Sequence, residues 1–235
     1  MTRHLLPGEP PVEITLRRSA RARRFSLRVS RLDGRVTLSM PARAREAEAL
    51  RFAAEKAGWL RSVLDAAPPR EALGFGAAVP FEGRALELRP AAIRVVRVEG
   101  EAMLAPAGAA RLGARVEAFL KLAARQRLQA ACEVHAAALG RRFARITLRD
   151  TRSRWGSCTV DGALMFSWRL IMAPPEVLDY VAAHEVAHLV EMNHSEAFWR
   201  VVRCLMPEYE RHRRWLKRNG SGLHRLDFGA GWADD

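Results

Sequence analysis

His184, Glu185 and His188, with His194 six residues further on, put three imidazoles and one carboxylate within eleven residues. In a helix, residues four apart are rotated by about 40° and displaced by about 6 Å along the axis, so the two histidines of His184-Glu185-Val186-Ala187-His188 can close on one ion. Glu185 lies about 100° round the axis, beside such an ion rather than bound to it, where a general base must stand to deprotonate an attacking water. Three protein ligands with a fourth position open is the catalytic form of zinc, whereas structural sites are closed by four. The implied chemistry is hydrolysis, and a zinc hydroxide can attack either an amide or a phosphate ester.

The element that must position these residues spans 174–192. Pro174-Pro175 is a helix start, and Val177, Leu178, Val181, Val186, Leu189 and Val190 lie near helical spacing. The helix is apolar on more than one side, which implies burial and makes histidines without partners costly. Asn193 offers a left-handed stop, and His194 follows as the chain turns back. Glu191, three residues after His188 on roughly the same face, competes with His194 as third ligand. His194 is preferred because its spacing allows one helix end and a return, as in metzincins, although Glu191 stands where metzincins have Gly. Glu191 then becomes a candidate to hold an imidazole N–H and fix its tautomer. Ser195 can cap a further helix over 195–206 and so anchor His194.

With these residues in place the chain resembles a known family. Arg154-Trp155-Gly156-Ser157-Cys158, the stretch 164–170, Ala173-Pro174-Pro175, Asp179-Tyr180-Val181, the H-E-x-x-H run, Met192-Asn193-His194-Ser195 and Phe198-Trp199 look like the YgjP-like metallopeptidase family in order and spacing. The likeness extends upstream to the basic N-terminal strands and Trp59, and downstream to Met206-Pro207, Tyr209 and Trp215-Leu216-Lys217. It implies a minimal zincin, similar in its catalytic helix to SprT-like and Spartan-type proteases, some of which act on proteins bound to DNA. One Zn2+ on His184, His188 and His194, with Glu185 as acid/base for peptide-bond cleavage, is what the resemblance implies. The family commonly has Asn where Ser167 stands, so a hydrogen bond from that amide is not expected here.

Trp155 and Gly156 are expected to shape the wall beside the metal, Gly allowing close backbone approach, and Arg154 and Ser157 flank them as candidates for substrate contact. Tyr180 lies one turn before His184; with Tyr209, His135 and His212 it is a candidate donor to an oxyanion, a contribution typically of about 3 kcal/mol. Cys158 reads as a packing residue, because the activated water already supplies the nucleophile. Cys132, Cys158 and Cys204 are odd in number and lack C-x-x-C pairing, so free thiols are expected. In zincins an edge strand near the catalytic helix can pair with an extended substrate; the stretch 163–170 could serve, or could be internal to its sheet.

A chain of 235 residues, 49% hydrophobic, can bury one sizeable core or two smaller ones. The expected class is α+β: a flexible N-terminus (1–11), a β-rich basic N-terminal lobe (12–105), a zincin-like metallopeptidase domain with the H-E-x-x-H helix packed on a small sheet (106–220), and a C-terminal tail (221–235) mobile from Gly229 onward. Strands are expected over 13–29 and 35–40, with a hairpin around Asp33-Gly34, then around 74–88, 93–98 and 146–149. Helices are expected over 44–64 and about 110–139. No internal repeat is visible. The first residues lack the apolar run of a signal peptide and no stretch of about 18 apolar residues occurs, so a cytoplasmic protein with no membrane partner is expected.

A formal charge of +13 and a pI near 11.1 suggest a polyanionic partner. The lysines are only Lys56, Lys121 and Lys217, so a diffuse arginine surplus reads equally as the solvated surface of a protein encoded by high-GC sequence. Against that, Arg17, Arg18, Arg21, Arg23, Arg24, Arg28, Arg31 and Arg35 gather in one region, the last three interleaved with Leu27, Val29, Val36 and Leu38. Such a sheet face could hold nucleic acid or nucleotide phosphates, although few aromatics accompany it for stacking. Three readings result: a zinc metallopeptidase acting on peptides or proteins, a zinc phosphohydrolase acting on nucleotides, and a DNA-associated protease recruited through the basic lobe.

Overall fold

Val12, Ile14 and Leu16 alternate with polar residues, as do Val36, Leu38 and Met40, and in the computed structural model these six side chains are buried in one core. The structure describes residues 2–30, 34–65, 71–108 and 111–229, and the chain divides into two units, Met1–Arg70 and Glu71–Asp235. In the first unit β1 (Thr2–Leu6), β2 (Val12–Ser19), β3 (Ser26–Val29) and β4 (Val36–Pro41) form one sheet in the order β1-β2-β4-β3. Its outer pairs are antiparallel and the central β2–β4 pair is parallel. Helices α1 (Glu46–Glu55) and α2 (Ala57–Asp65) close the core with Ala49, Ala53 and Leu60. The other face is polar: Arg3, Thr15, Thr37 and Arg28 form one row across the four strands, and Arg17, Ser39 and Ser26 part of the next. Arg18 instead donates to the carbonyls of Ala42 and Ala44 at 3.0 and 2.8 Å.

Several expectations change here. Residues 1–11, expected to be flexible, contain β1 in register with β2, and Arg61 donates to the carbonyls of Pro10 and Pro7 at 3.0 and 2.9 Å, tying the β1–β2 loop to α2. The single helix expected over 44–64 is two, divided at Lys56 just before Gly58, the helix breaker of that run. The antiparallel β3–β4 pairing is present, while Arg31 and Asp33 lie outside the described residues.

The second unit opens with β5 (Glu71–Ala72) and then β6 (Ala78–Phe81), β7 (Arg84–Ala91), β8 (Arg97–Glu99) and β9 (Ala102–Pro106). The order β6-β7-β9-β8 and its antiparallel, parallel, antiparallel pairings repeat those of the first sheet. Its inner residues Val79, Leu86, Leu88 and Met103 share a core with Val116, Leu120 and Ala124 of α3 (Leu112–Ala138). The boundary expected at 105 therefore falls between Arg70 and Glu71, since these strands bury their apolar face in the second unit's core.

Next come β10 (Arg145–Arg149), β11 (Gly156–Cys158) and β12 (Ala163–Ser167), in the order β10-β12-β11. A 3-10 turn, Trp168–Met172, leads into α4 (Pro175–Ala187), α5 (Glu196–Leu205) and α6 (Tyr209–Asn219). After a second 3-10 turn, Gly220–His224, β13 (Leu226–Asp227) pairs in parallel with β5. The expected tail is thus built into the fold as far as 229. Arg169, 2% exposed, donates to both carboxylate oxygens of Asp150 at 2.7 and 3.0 Å and to the carbonyls of Leu223 and Leu226 at 3.0 and 3.3 Å. A side chain at Gly113 would strike the Phe228 backbone, so the same segment lies against the start of α3. The expected mobile end, apart from Gly229, lies outside the described residues. Among them no helix is long and apolar enough to cross a membrane.

Candidate active site

Burial of Val177, Leu178, Val181, Ala182, Ala183, Val186 and Ala187 fixes the rotation of α4, with Pro175 in its first turn. His184, Glu185 and the C-capping His188 are the ionisable groups of its last two turns. The helix ends at Ala187 rather than continuing to 192. Tight turns follow, with Leu189 N–H donating to Val186 and Glu191 N–H to Ala187 at 3.0 and 3.1 Å. Asn193 does not take the left-handed conformation expected of it. Ser195 then caps α5 by accepting from Phe198 N–H at 3.4 Å, just after His194.

The candidate ligand nitrogens of His184, His188 and His194 all lie within 4.8 Å of one another, and Nε2 of His184 is 3.0 Å from Nε2 of His194. His188 donates Nδ1–H to the Glu191 carbonyl at 2.9 Å, which leaves its Nε2 with a lone pair. Glu191 thus orients the ring through its backbone, where the sequence pointed to its carboxylate. Phe198 stacks on His188 at 4.4 Å and meets His184 edge-on at 4.9 Å, limiting ring rotation. Burial first, then His188 and His194, pushes His184 down to about 3. Burial also lowers His188. Neutral imidazoles with convergent lone pairs are the donor set of a divalent ion of zinc type, so these three residues fit one.

Glu185 is 6% exposed, and burial pushes its carboxyl up to about 8 against the opposing pull of Arg154. Gly156 makes room for it: a Cβ there would lie 2.6 Å from both Cγ and Oε1 of Glu185. The backbone of β11 therefore runs directly against the carboxylate. Ser167 N–H donates to the Trp155 carbonyl at 2.9 Å, fixing the approach to β11, while Ser167 Oγ is buried with no partner among the described residues. The Trp155 ring packs 5.3 Å from His224. The stretch 163–170 supplies β12, which lies between its two neighbours; β11 is the sheet's edge strand beside α4.

Tyr180 stands 6.0 Å from the His184 ring and stacks at 6.4 Å on Tyr209, which stacks at 5.3 Å on Trp199. Burial pushes the Tyr180 phenol up to about 12, keeping it a protonated donor at neutral pH. His135 is bonded to Asp179 at 2.8 Å, and neither it nor His212 lines the cleft described below. All three cysteines are free. Burial, with Glu185 next, pushes Cys158 up to about 11, and burial pushes Cys132 to about 12, so neither is a thiolate nucleophile at neutral pH.

A cleft of about 340 Å³ adjoins the cluster, with His184, Glu185 and Tyr180 from α4 on one side and Arg154, Trp155 and Gly156 on another. Arg213, Leu216 and Lys217 of α6 complete it. The sequence reading did not assign a site role to Arg213 or Lys217. Their i, i+4 spacing around Leu216 was the available signal, because it puts both cations on one helical face.

The family model described as "YgjP-like, metallopeptidase domain" matches residues 23–219. The chain belongs to the YgjP-like family. The matched region of this YgjP-like protein ends at Asn219, the last residue of α6, and so takes in both the histidine cluster and the cleft. No curated protein matches the chain. Among solved structures, it is similar to the metallopeptidase zymogen of Pyrococcus abyssi abylysin, at 23% identity over 42% of this chain and 97% of that one, with a TM-score of 0.36.

Proposed function

We propose that this YgjP-like protein is a zinc-dependent metallopeptidase of the zincin type. The observation that carries the reading is the convergence of three imidazoles beside the buried carboxylate of Glu185. His184, His188 and His194 would hold one zinc ion, which when bound polarises a scissile carbonyl and acidifies water. Glu185 takes the proton from the attacking water and returns it to the leaving amine. Gly156 keeps the β11 backbone close enough to hold that carboxylate in place. Tyr180 lines the cleft as a donor for the developing oxyanion. As an edge strand, β11 offers backbone groups to an extended peptide.

The test gives zinc-loaded wild type and Glu185→Gln the same pool of unstructured peptides and nucleoside triphosphates, with products read by mass spectrometry and zinc content measured in parallel. Peptide cleavage should fall by at least about 10²-fold in Glu185→Gln while the zinc remains; full activity in that variant refutes the mechanism. The cations of the cleft support a second reading, hydrolysis of a nucleotide phosphoanhydride, which triphosphate cleavage by wild type alone would establish. The arginines on the open face of the first sheet support recruitment of a peptidase to DNA-bound substrates.

A further inference from the structure

We infer that the cleft beside the histidine cluster selects peptides carrying a carboxylate close to the scissile bond, held by Arg213 and Lys217, with Arg154 in the same lining. The bond cleaved rests on the peptidase reading above; recognition of the anion rests on the cleft alone. Arg154, Arg213 and Lys217 line it together with one carboxyl group, Glu185, so cationic side chains outnumber acidic ones three to one. None of the three cations has an ion-pair partner among the described residues, whereas elsewhere in the second unit Arg89 and Arg97 are each paired with a glutamate at 2.6 Å.

Arg213 is also held in position. Its guanidinium lies 4.8 Å over the Trp199 ring, and Trp199 is clamped in turn by Tyr209. A guanidinium held over a ring is restrained in position and keeps its N–H groups for a further partner, and such a fork can receive both oxygens of a carboxylate. Lys217 stands one helical turn away as a second point charge. Trp155, Tyr180, Val181 and Leu216 supply apolar walls, which lower the local dielectric and strengthen the attraction relative to open water. The carboxylate can come from an Asp or Glu side chain or from the substrate's own C-terminus, and amidation separates these sources.

The binding experiment uses zinc-loaded Glu185→Gln and fluorescently labelled peptides that differ by a single Glu or Gln, each as free acid and as C-terminal amide. Wild type is given the same peptides and its cleavage products are mapped. Anisotropy should show the peptide with the matching carboxylate binding about tenfold more tightly than its neutral counterpart. Adding Arg213→Gln and Lys217→Gln should erase that difference and leave the neutral peptide's affinity in place; Lys217→Glu, at an exposed position, should shift preference toward a Lys-containing peptide. Equal binding of all four peptides overturns the inference, and if wild type still cleaves them the peptidase reading survives. Charge discrimination without any cleavage has the opposite meaning: the cleft recognises carboxylates and the peptidase reading fails. A nucleoside triphosphate that binds where no peptide does also overturns it.

Discussion

The sheet β1-β2-β4-β3 of the first unit and the sheet β6-β7-β9-β8 of the second share strand order and strand directions, yet their outer faces differ in charge. In the second, Arg89 is neutralised by Glu87 and Arg97 by Glu99. In the first, Arg17 and Arg28 stand among Thr15, Thr37, Ser26 and Ser39 with no carboxylate partner among the described residues. Residues 1–70 hold fifteen Lys and Arg against seven Asp and Glu, a net +8 of the chain's +13. The loops differ as well. The β6–β7 turn reaches the segment before α4: Glu82 N–H donates to the Ile171 carbonyl at 2.7 Å, and Arg127 pairs with Glu82 at 2.6 Å. Gly83, at φ 77°, passes so near Pro174 that a Cβ would lie 3.0 Å from its Cα. One topology therefore braces α4 in one unit and displays Arg17 and Arg28 without carboxylate partners among the described residues in the other, because pairing order says nothing about the residues placed on a face or at a turn.

The sharpest way to break this comparison is to remove the buried charge that holds the second unit's C-terminal segment. Arg169→Met strands Asp150 and two carbonyls and should cost about 3–5 kcal/mol in urea unfolding. Arg61→Ala, at the exposed tie of the first unit, should cost under about 1 kcal/mol; equal losses would mean that the two units are secured alike.

Gly156→Ala acts on the site rather than on stability. The new Cβ displaces Glu185, so kcat/KM on a cleaved peptide should fall by about 10²-fold while zinc content is kept. Unchanged turnover would show that Glu185 need not sit against β11.

A third prediction concerns pH in the metal-free protein. Glu185 is held at about 8, above its ordinary 4.5, so between those values the folded state keeps a proton that the unfolded chain releases. That contribution is complete below pH 4.5 and is lost as pH rises through 8. His184 and His188 are lowered from 6.5, and their opposite contribution levels off about one unit above that pH. From pH 6.5 to 8 the stability should therefore fall by roughly 1 kcal/mol, and Glu185→Gln should abolish the fall.

The smallest effect belongs to the first unit. Arg17→Glu with Arg28→Glu should lower the salt slope of DNA binding by about two counterions and leave cleavage of short peptides unchanged. Absence of wild-type binding at low salt would reduce the open face to a solvated surface.

Much of the second unit was legible in the sequence. The long helix expected over 110–139 is α3, and the strand expected over 146–149 is β10, because sustained periodicity is a local signal. The repeated sheet was invisible, since its copies agree in strand order and not in residue pattern. β9 was missed because Ala102-Met103-Leu104-Ala105 is a short apolar run without alternation, buried where it meets α3. The domain boundary failed for the same reason: which core receives an apolar strand face is a long-range choice.

At the site itself, helical geometry and chain order were enough to bring His184, His188 and Glu185 to one end of α4 and to return His194 nearby, because those relations span eleven residues. Only the tertiary structure decided that a Glu191 carbonyl orients His188, that β11 and not β12 is the edge, and that Gly156 meets Glu185. It also decided that Arg213 and Lys217 share a cleft with residues about thirty and about sixty positions earlier. Those facts depend on how separate elements pack, and packing follows from the whole buried surface rather than from any local run of residues.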